Sequence, residues 1–140
     1  FMSYNLVKTG ISNLMKSLGY AESSMIESFE GSSDAEISNT FICKCVSGQM
    51  DNDVSETLAD RFYDKQKWEV MIAFPVSSHN DNVNVDEIHE EKDTIIRTLD
   101  NPANWTSFAT VLKYESWSIE MVENHLILTV TLDVTDVYTY

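Results

Sequence analysis

The sequence predicts an α+β domain, with an antiparallel sheet of about four strands and two helices packed on one face. Apolar residues fill alternate positions of a central strand, residues 67–75: Trp68, Val70, Ile72 and Phe74. Residues 125–137 alternate in the same way, whereas residues 84–99 have the period of a helix. With an N-terminal helix, the order is helix, strand, strand, helix, strand, strand, which is typical of a two-layer domain.

The first helix is predicted from apolar residues that recur at steps of three and four. They are Leu6, Val7, Ile11, Leu14, Met15 and Leu18. Gly19 ends the helix, and Gly10 lies inside it at some cost in stability. A long polar connection, residues 20–38, leads to the first strand, residues 39–50, which has apolar side chains on both faces.

The second helix has recognisable start and stop signals. Its first residues, 84–87, are similar to a capping box, and an Asn-Pro pair at 101–102 ends it. The third strand is predicted over residues 106–121, long enough that a bulge or kink is expected near residues 115–117. The sequence leaves open whether residues 58–63 are helical or extended.

The composition limits the partners of the protein. The chain has 140 residues, and we expect residues 2–140 to form a single domain, with Phe1 outside the fold prediction. Nine basic and 23 acidic residues give a net charge of −14, which disfavours DNA binding because duplex affinity comes mainly from Lys and Arg on phosphates. No leader peptide or membrane span is expected, and Cys43 and Cys45 are expected to be reduced.

No motif predicts catalysis, a metal site or a cofactor. The three histidines lack the HExxH spacing, the four glycines form no phosphate-binding loop, and no Gly-x-Ser-x-Gly is present. The segment that begins at Asp51 resembles the start of a calcium loop, but Glu56 stands where that loop needs Gly, and Phe62 where it needs Glu. We therefore predict a protein that is not an enzyme and uses no cofactor.

The candidate functional residues are predicted to lie on the surface. Acidic residues after the first strand and tyrosines at the C-terminal end are the candidates for an interface: Asp51, Asp53, Glu56, Tyr138 and Tyr140. Trp105 is assigned to the core rather than to an interface. The edges of the sheet also need cover, and a ring of subunits is one way to provide it.

Four segments resemble a known family: the N-terminal amphipathic helix, the strand 67–72, the helix 85–99 and the closing strand 126–132. Over most of the chain, from Tyr4 to Tyr138, this pattern resembles the tail terminator (tail completion) proteins of long-tailed bacteriophages. Members of that family form hexameric rings that cap the finished tail tube and meet the head connector. The resemblance implies a non-enzymatic virion protein of the tail or neck, assembled in the host cytoplasm. It also implies as partners the tail tube protein and the head–tail connector or neck proteins, and an acidic channel through which DNA passes without specific binding.

Other functions remain open from the sequence. One alternative is an acidic monomeric or dimeric binding module that presents carboxylates in place of DNA phosphates to a basic partner. Another is a different phage neck or head–tail joining protein. A small enzyme is the third, although no titratable residue stands out in an apolar setting.

Overall fold

The computed structural model describes residues 4–23, 39–50, 61–75, 81–122 and 125–139. Its elements, in chain order, are α1 (Tyr4–Ser17), β1 (Ala21–Glu22), β2 (Thr40–Met50), β3 (Arg61–Pro75), α2 (Asp81–Asp100), α3 (Pro102–Trp105), β4 (Val111–Val122) and β5 (His125–Thr139). The strands form one sheet in the order β1-β2-β3-β5-β4. Neighbouring strands are antiparallel except β1 and β2, which are parallel.

The predicted antiparallel sheet of about four strands with two helices is wrong, because the described part of the chain has a mixed five-stranded sheet and three helices. The strand that the sequence missed is β1. It has only two residues, both exposed, and so offers no alternation to detect. It is held to β2 by the N–H groups of Ala21 and Ser23, which donate to Asn39 and Phe41.

The helix that the sequence missed is α3. The Asn-Pro pair that ends α2 also starts this short helix, since the Asn101 side chain accepts a hydrogen bond from the Ala103 N–H at 3.1 Å. Pro102 occupies the first helical position, where a missing N–H costs nothing. A stop signal for one helix was therefore also a start signal for the next.

Several boundaries differ from the predicted ones, and one irregularity was correctly predicted. Strand β3 begins at Arg61, six residues before the predicted start, because residues 64–67 are all polar and show no alternation of apolar residues. Helix α2 begins at Asp81 instead of at residue 84. Strand β4 begins at Val111, after α3 and a turn. The bulge expected near Glu115 is confirmed by the shift in register between Tyr114 and Ser116.

Helices α1 and α2 share one apolar core with the sheet, α1 packing against β2 and α2 against β4. Alternate residues of the long strands point into this core, as predicted for the central strand: Phe41, Cys43, Trp68, Val70, Ile72, Leu128, Val130 and Leu132. Helix α1 lies close to the segment between α3 and β4 at Gly10, where a Cβ atom would overlap the buried ring of Phe108. Glycine is therefore required at this position by packing.

The opposite face of the sheet, called the outer face here, has an apolar part and a charged part. Ile42, Ala73 and Ile127 form a small buried cluster on it. Further along the strands, the residues that alternate with the core positions are charged or polar. They are Lys65 and Lys67 of β3, Lys113 of β4, and Asp133 and Thr135 of β5.

Candidate subunit interface

The structure leaves the five predicted interface residues untested. Asp51, Asp53, Glu56 and Tyr140 lie outside the described residues. Tyr138 is paired through its backbone with Phe62, near the end of β5, and its side chain is not among those described. Their role in an interface therefore stays a prediction, and the candidate interface below is built from other residues.

The charged part of the outer face forms a depression that we call the lysine concavity. Its cavity volume is about 510 Å³, and all four long strands line it. Its charged side chains are Lys65, Lys67, Lys113 and Asp133. Asp133 lies in register with Lys67 on one side and with Lys113 on the other, so that one row across the sheet reads plus, minus, plus. The lining thus has a local excess of positive charge in a protein of net charge −14.

Ion pairs on the outer face involve two of its lysines. The Lys67 ammonium lies 3.1 Å from the Glu115 carboxylate, which the bulge in β4 contributes. The Lys44 ammonium lies 3.8 Å from Glu69. Such partly exposed pairs contribute little to stability, with a typical value of about 0 to 1 kcal/mol. These lysines can therefore exchange their present carboxylate partners for those of a binding partner.

A second charged surface lies on the side of α2 that faces away from the sheet. Ile88, Ile95 and Leu99 are buried on the inner side of the helix. Asp86, Glu90 and Asp93, three and four residues apart, project from the other side and are exposed. We call these three residues the acidic ridge. The ridge and the lysine concavity lie on opposite sides of the same sheet.

Strand β4 forms one edge of the sheet among the described residues, because it pairs only with β5. Two large apolar side chains of this strand are exposed, Trp117 at 39% and Met121 at 58%. The Trp117 ring contacts α2, where the Lys92 ammonium lies 4.2 Å from its centroid and the His89 ring packs edge-on at 5.4 Å. Helix α2 thus supports the edge, and no other described strand pairs with it.

Two carboxyl groups meet on the inner face of the sheet, beyond Trp68. Asp64 and Asp136 are register partners on β3 and β5. Burial raises the pKa of Asp136, and the charge of Asp64 acts in the same direction, while the Val137 N–H and the Gln66 side chain oppose the shift. Gln66 also donates to Asp64 at 3.0 Å and accepts from the Trp68 indole at 2.8 Å. Within the described residues, no group of three or more His, Cys, Asp or Glu side chains is placed to hold a metal.

The remaining perturbed groups connect structural elements and do not converge on one site. The Tyr20 hydroxyl donates to the Glu91 carboxylate at 2.5 Å, and burial followed by this bond raises the tyrosine pKa. Burial also raises the pKa of the Cys43 thiol to about 12 and, to a lesser degree, that of Cys45. Both cysteines are free thiols, as expected. Raised pKa values make these thiols poor nucleophiles.

The sequence did not reveal the lysine concavity. Lys65 and Lys67 alternate along one strand, which was a usable signal, but Lys113 lies far away in the chain and joins them only through the sheet order. The acidic ridge could have been found from the helical period of residues 84–99, because the apolar residues of that period mark the opposite side of the helix. Trp105, predicted to be in the core, is half-buried at the margin of the core, and its indole N–H donates to the Asp100 carbonyl at 3.0 Å.

Comparisons with known proteins leave the chain without an assigned family. No family model matches it, and no curated protein matches it in sequence. None of the helices in the described ranges has both the length and the apolarity needed to cross a bilayer.

Proposed function

We propose that this chain is a structural subunit that assembles into a ring and caps a tubular assembly, in the way that tail terminator proteins do. The ring is a hexamer whose axial partners are a tail tube and a head–tail connector or neck protein. The assembly belongs to the tail or neck of a virion. DNA passes through the ring without specific binding, since a subunit with a net charge of −14 repels phosphates.

The exposed edge at β4 is the observation that carries this proposal. Among the described residues, this strand of 12 residues pairs on one side only and exposes Trp117 and Met121, which makes it a surface to which another chain adds readily. Monomeric proteins protect such edges, whereas subunits of assemblies use them. In a ring, this edge is available to the tube or to the connector.

The experiment that tests the proposal measures the mass and shape of the purified protein. We expect light scattering to give particles of about six times the 16.0 kDa subunit mass, and negative-stain images to show rings with a central hole. A protein that stays monomeric at high concentration, and that forms no rings on isolated tail tubes, would contradict the proposal.

The role of the β4 edge is tested separately with a charged substitution. Met121→Lys puts a charge on the edge, and we expect rings that still form but no longer cap tubes. Val46→Lys is the matched control, because Val46 is similarly exposed but lies on β2, towards the other side of the sheet. Equal capping by both variants would show that the edge at β4 has no part in capping.

The acidic binding module remains a second candidate because the acidic ridge places carboxylates at regular intervals along α2. A module of this kind would stay monomeric or dimeric and would bind a basic nucleic-acid enzyme through those carboxylates. The mass measurement separates the two functions. A dimer or monomer that binds such an enzyme in a salt-sensitive manner would favour the module.

A further inference from the structure

We infer that the acidic ridge of one copy binds in the lysine concavity of the next copy, so that subunits join head to tail. The inference deepens the proposed function and rests on the self-assembly proposed there. It names the two surfaces that meet: Asp86, Glu90 and Asp93 on one subunit, and Lys65, Lys67 and Lys113 on its neighbour. No other part of the described chain offers a comparable concentration of exposed lysines next to a cavity.

Charge decides which surfaces can meet. Two copies of a subunit with a net charge of −14 repel each other, and two acidic ridges placed face to face would add to the repulsion. The lysine concavity is lined by three lysines and one aspartate, and with Glu115 beside Lys67 it still has one more positive than negative charge, so it attracts an acidic surface. The chain itself supplies that surface on α2, which makes a second copy the occupant that the charges favour.

The dimensions of the two surfaces agree. Asp86 and Asp93 are seven residues apart on a helix, which corresponds to about 10 Å along its axis. Lys67 and Lys113 lie on strands separated by one intervening strand, β5, which corresponds to about 10 Å across the sheet. A convex helix that crosses the strands of a concave sheet face therefore places its first and last acidic residues near lysines of β3 and β4.

The location of the two surfaces decides the symmetry. They lie on opposite sides of the sheet, so a contact between them cannot be self-complementary and leaves one free surface of each kind on every pair. Repetition of such a heterologous contact closes into a ring when the rotation between copies divides a full turn. The ion pairs of Lys67 with Glu115 and of Lys92 with Asp93 compete with the contact, but both pairs are partly exposed and exchange readily.

The first test is carbodiimide cross-linking of a mixture of ¹⁵N-labelled and unlabelled protein, which identifies bonds between different copies. We expect mixed-isotope peptides that join Lys65, Lys67 or Lys113 to the ridge residues. Mixed-isotope bonds confined to other surfaces, or a protein that does not self-associate, would overturn the inference.

The second test reverses the charge of each surface in turn. The concavity variant is Lys67→Glu with Lys113→Glu, and the ridge variant is Asp86→Lys with Glu90→Lys. Each alone is expected to self-associate about tenfold more weakly or worse, and an equimolar mixture is expected to recover assembly, because every contact in an alternating array then joins opposite charges. Lys8→Glu with Lys16→Glu on α1 is the control, since it changes the net charge as the concavity variant does.

The results separate the inference from the proposed function. If mixing does not restore assembly, or if the α1 control is as impaired as the concavity variant, the inference is wrong even where the unmodified protein forms rings. If mixing restores assembly but the particles are open filaments that cap no tube, the contact is right and the proposed function is wrong. Circular dichroism of each variant identifies any that has failed to fold. A variant that fails to fold is replaced by one that only removes the charges, with Lys→Gln in the concavity or Asp→Asn and Glu→Gln on the ridge. These neutral variants are also expected to self-associate more weakly than the unmodified protein and the α1 control.

Discussion

Asp136 of β5 lies directly opposite Asp64 of β3, on the same face of the sheet as the core residues Trp68 and Val134. The Asp136 side chain is fully buried. Its Oδ1 atom accepts a hydrogen bond from the Val137 N–H at 2.9 Å, and its Oδ2 atom has no hydrogen-bond partner among the described residues. Burial, reinforced by the facing carboxylate, raises the pKa of Asp136, so the folded protein holds a proton there more tightly than the unfolded chain.

Asp136→Asn is expected to stabilise the protein at neutral pH. Because the folded pKa is raised, the native state binds more protons than the unfolded state, and stability is lost as the pH rises from the unfolded pKa of about 3.9 through the folded pKa. Asparagine keeps the acceptor for Val137 and removes the charge, so we expect a gain of about 1 kcal/mol at pH 7 and almost none at pH 3. Urea unfolding across this pH range measures the gain.

Glu120→Gln is the control for this substitution, because it removes an exposed acid from the outer face of β4. A gain that appears with Asp136→Asn and not with Glu120→Gln comes from the buried site and not from the change in net charge. A gain from Asp136→Asn of equal size at pH 3 and pH 7, or a loss of stability throughout the range, would contradict the assignment of a raised pKa to Asp136.

Gly10→Ala is expected to destabilise the protein, although alanine is the better helix former by about 1 kcal/mol. The added methyl group would overlap the Phe108 ring, which is buried and cannot move without displacing the start of β4. We expect a net loss of about 1 to 3 kcal/mol, the usual cost of overpacking a core. Thermal unfolding at one protein concentration measures this loss.

Asn13→Ala on the exposed side of α1 is the matched control for the glycine substitution. It makes the same change towards a better helix former where space is open, and it should stabilise the protein by a few tenths of a kcal/mol, an order of magnitude set by helix propensities. If both alanine variants are stabilised, the close contact of Gly10 with Phe108 does not exist in solution.

The sequence predicts the fold correctly where apolar residues recur with one period over a long segment. It does not do so where a helix or strand is short or polar. Apolar residues alternate from Trp68 to Phe74, and this pattern correctly predicts a strand with one face in the core. The strand lies inside the sheet, between β2 and β5. Residues 64–67 belong to the same strand but are all polar, since Asp64 and Gln66 occupy the inner face there in place of apolar residues. The sequence shows only that Gly10 lowers the stability of the helix. It does not show that glycine is needed there, because Phe108, the residue it contacts, is almost a hundred residues away in the chain.

The candidate interface was predictable only in part, for a related reason. Local sequence specifies which side of α2 is exposed, and thereby the acidic ridge. It does not specify that β5 lies between β3 and β4, and only this order places Lys67, Asp133 and Lys113 in one row. A surface made from three strands depends on their arrangement, which hydrophobic periodicity does not encode.

The two thiols are expected to react slowly and at different rates. Burial raises the pKa of Cys43 to about 12, so at pH 8 only about one molecule in ten thousand carries the reactive thiolate there. Cys45 is half-buried, with a smaller upward shift in its pKa. Iodoacetamide should therefore modify Cys45 first, and both cysteines more slowly than in the urea-unfolded chain.

Trypsin cleavage after Lys44 separates the two cysteines, so mass spectrometry can follow the thiols individually. Cys43→Ser and Cys45→Ser variants confirm the assignment of each modified peptide. Modification of Cys43 as fast as that of Cys45 in the folded protein would mean that Phe41, Cys43 and their neighbours do not form a closed core.

Lys92→Gln is expected to destabilise the protein by about 1 kcal/mol, because the Lys92 ammonium lies over the Trp117 ring and this contact is partly shielded from water. Lys16→Gln is the control: it removes an exposed ion pair with Glu22 and should cost less than about 0.5 kcal/mol.

Trp117→Leu, which keeps an apolar side chain on β4, completes a double-mutant cycle with Lys92→Gln. If the lysine and the ring interact, the double variant loses less than the sum of the two single losses, by about 0.5 to 1 kcal/mol. Losses that simply add would show that α2 and the β4 edge are held together by packing alone, and that Trp117 is free to turn towards a partner.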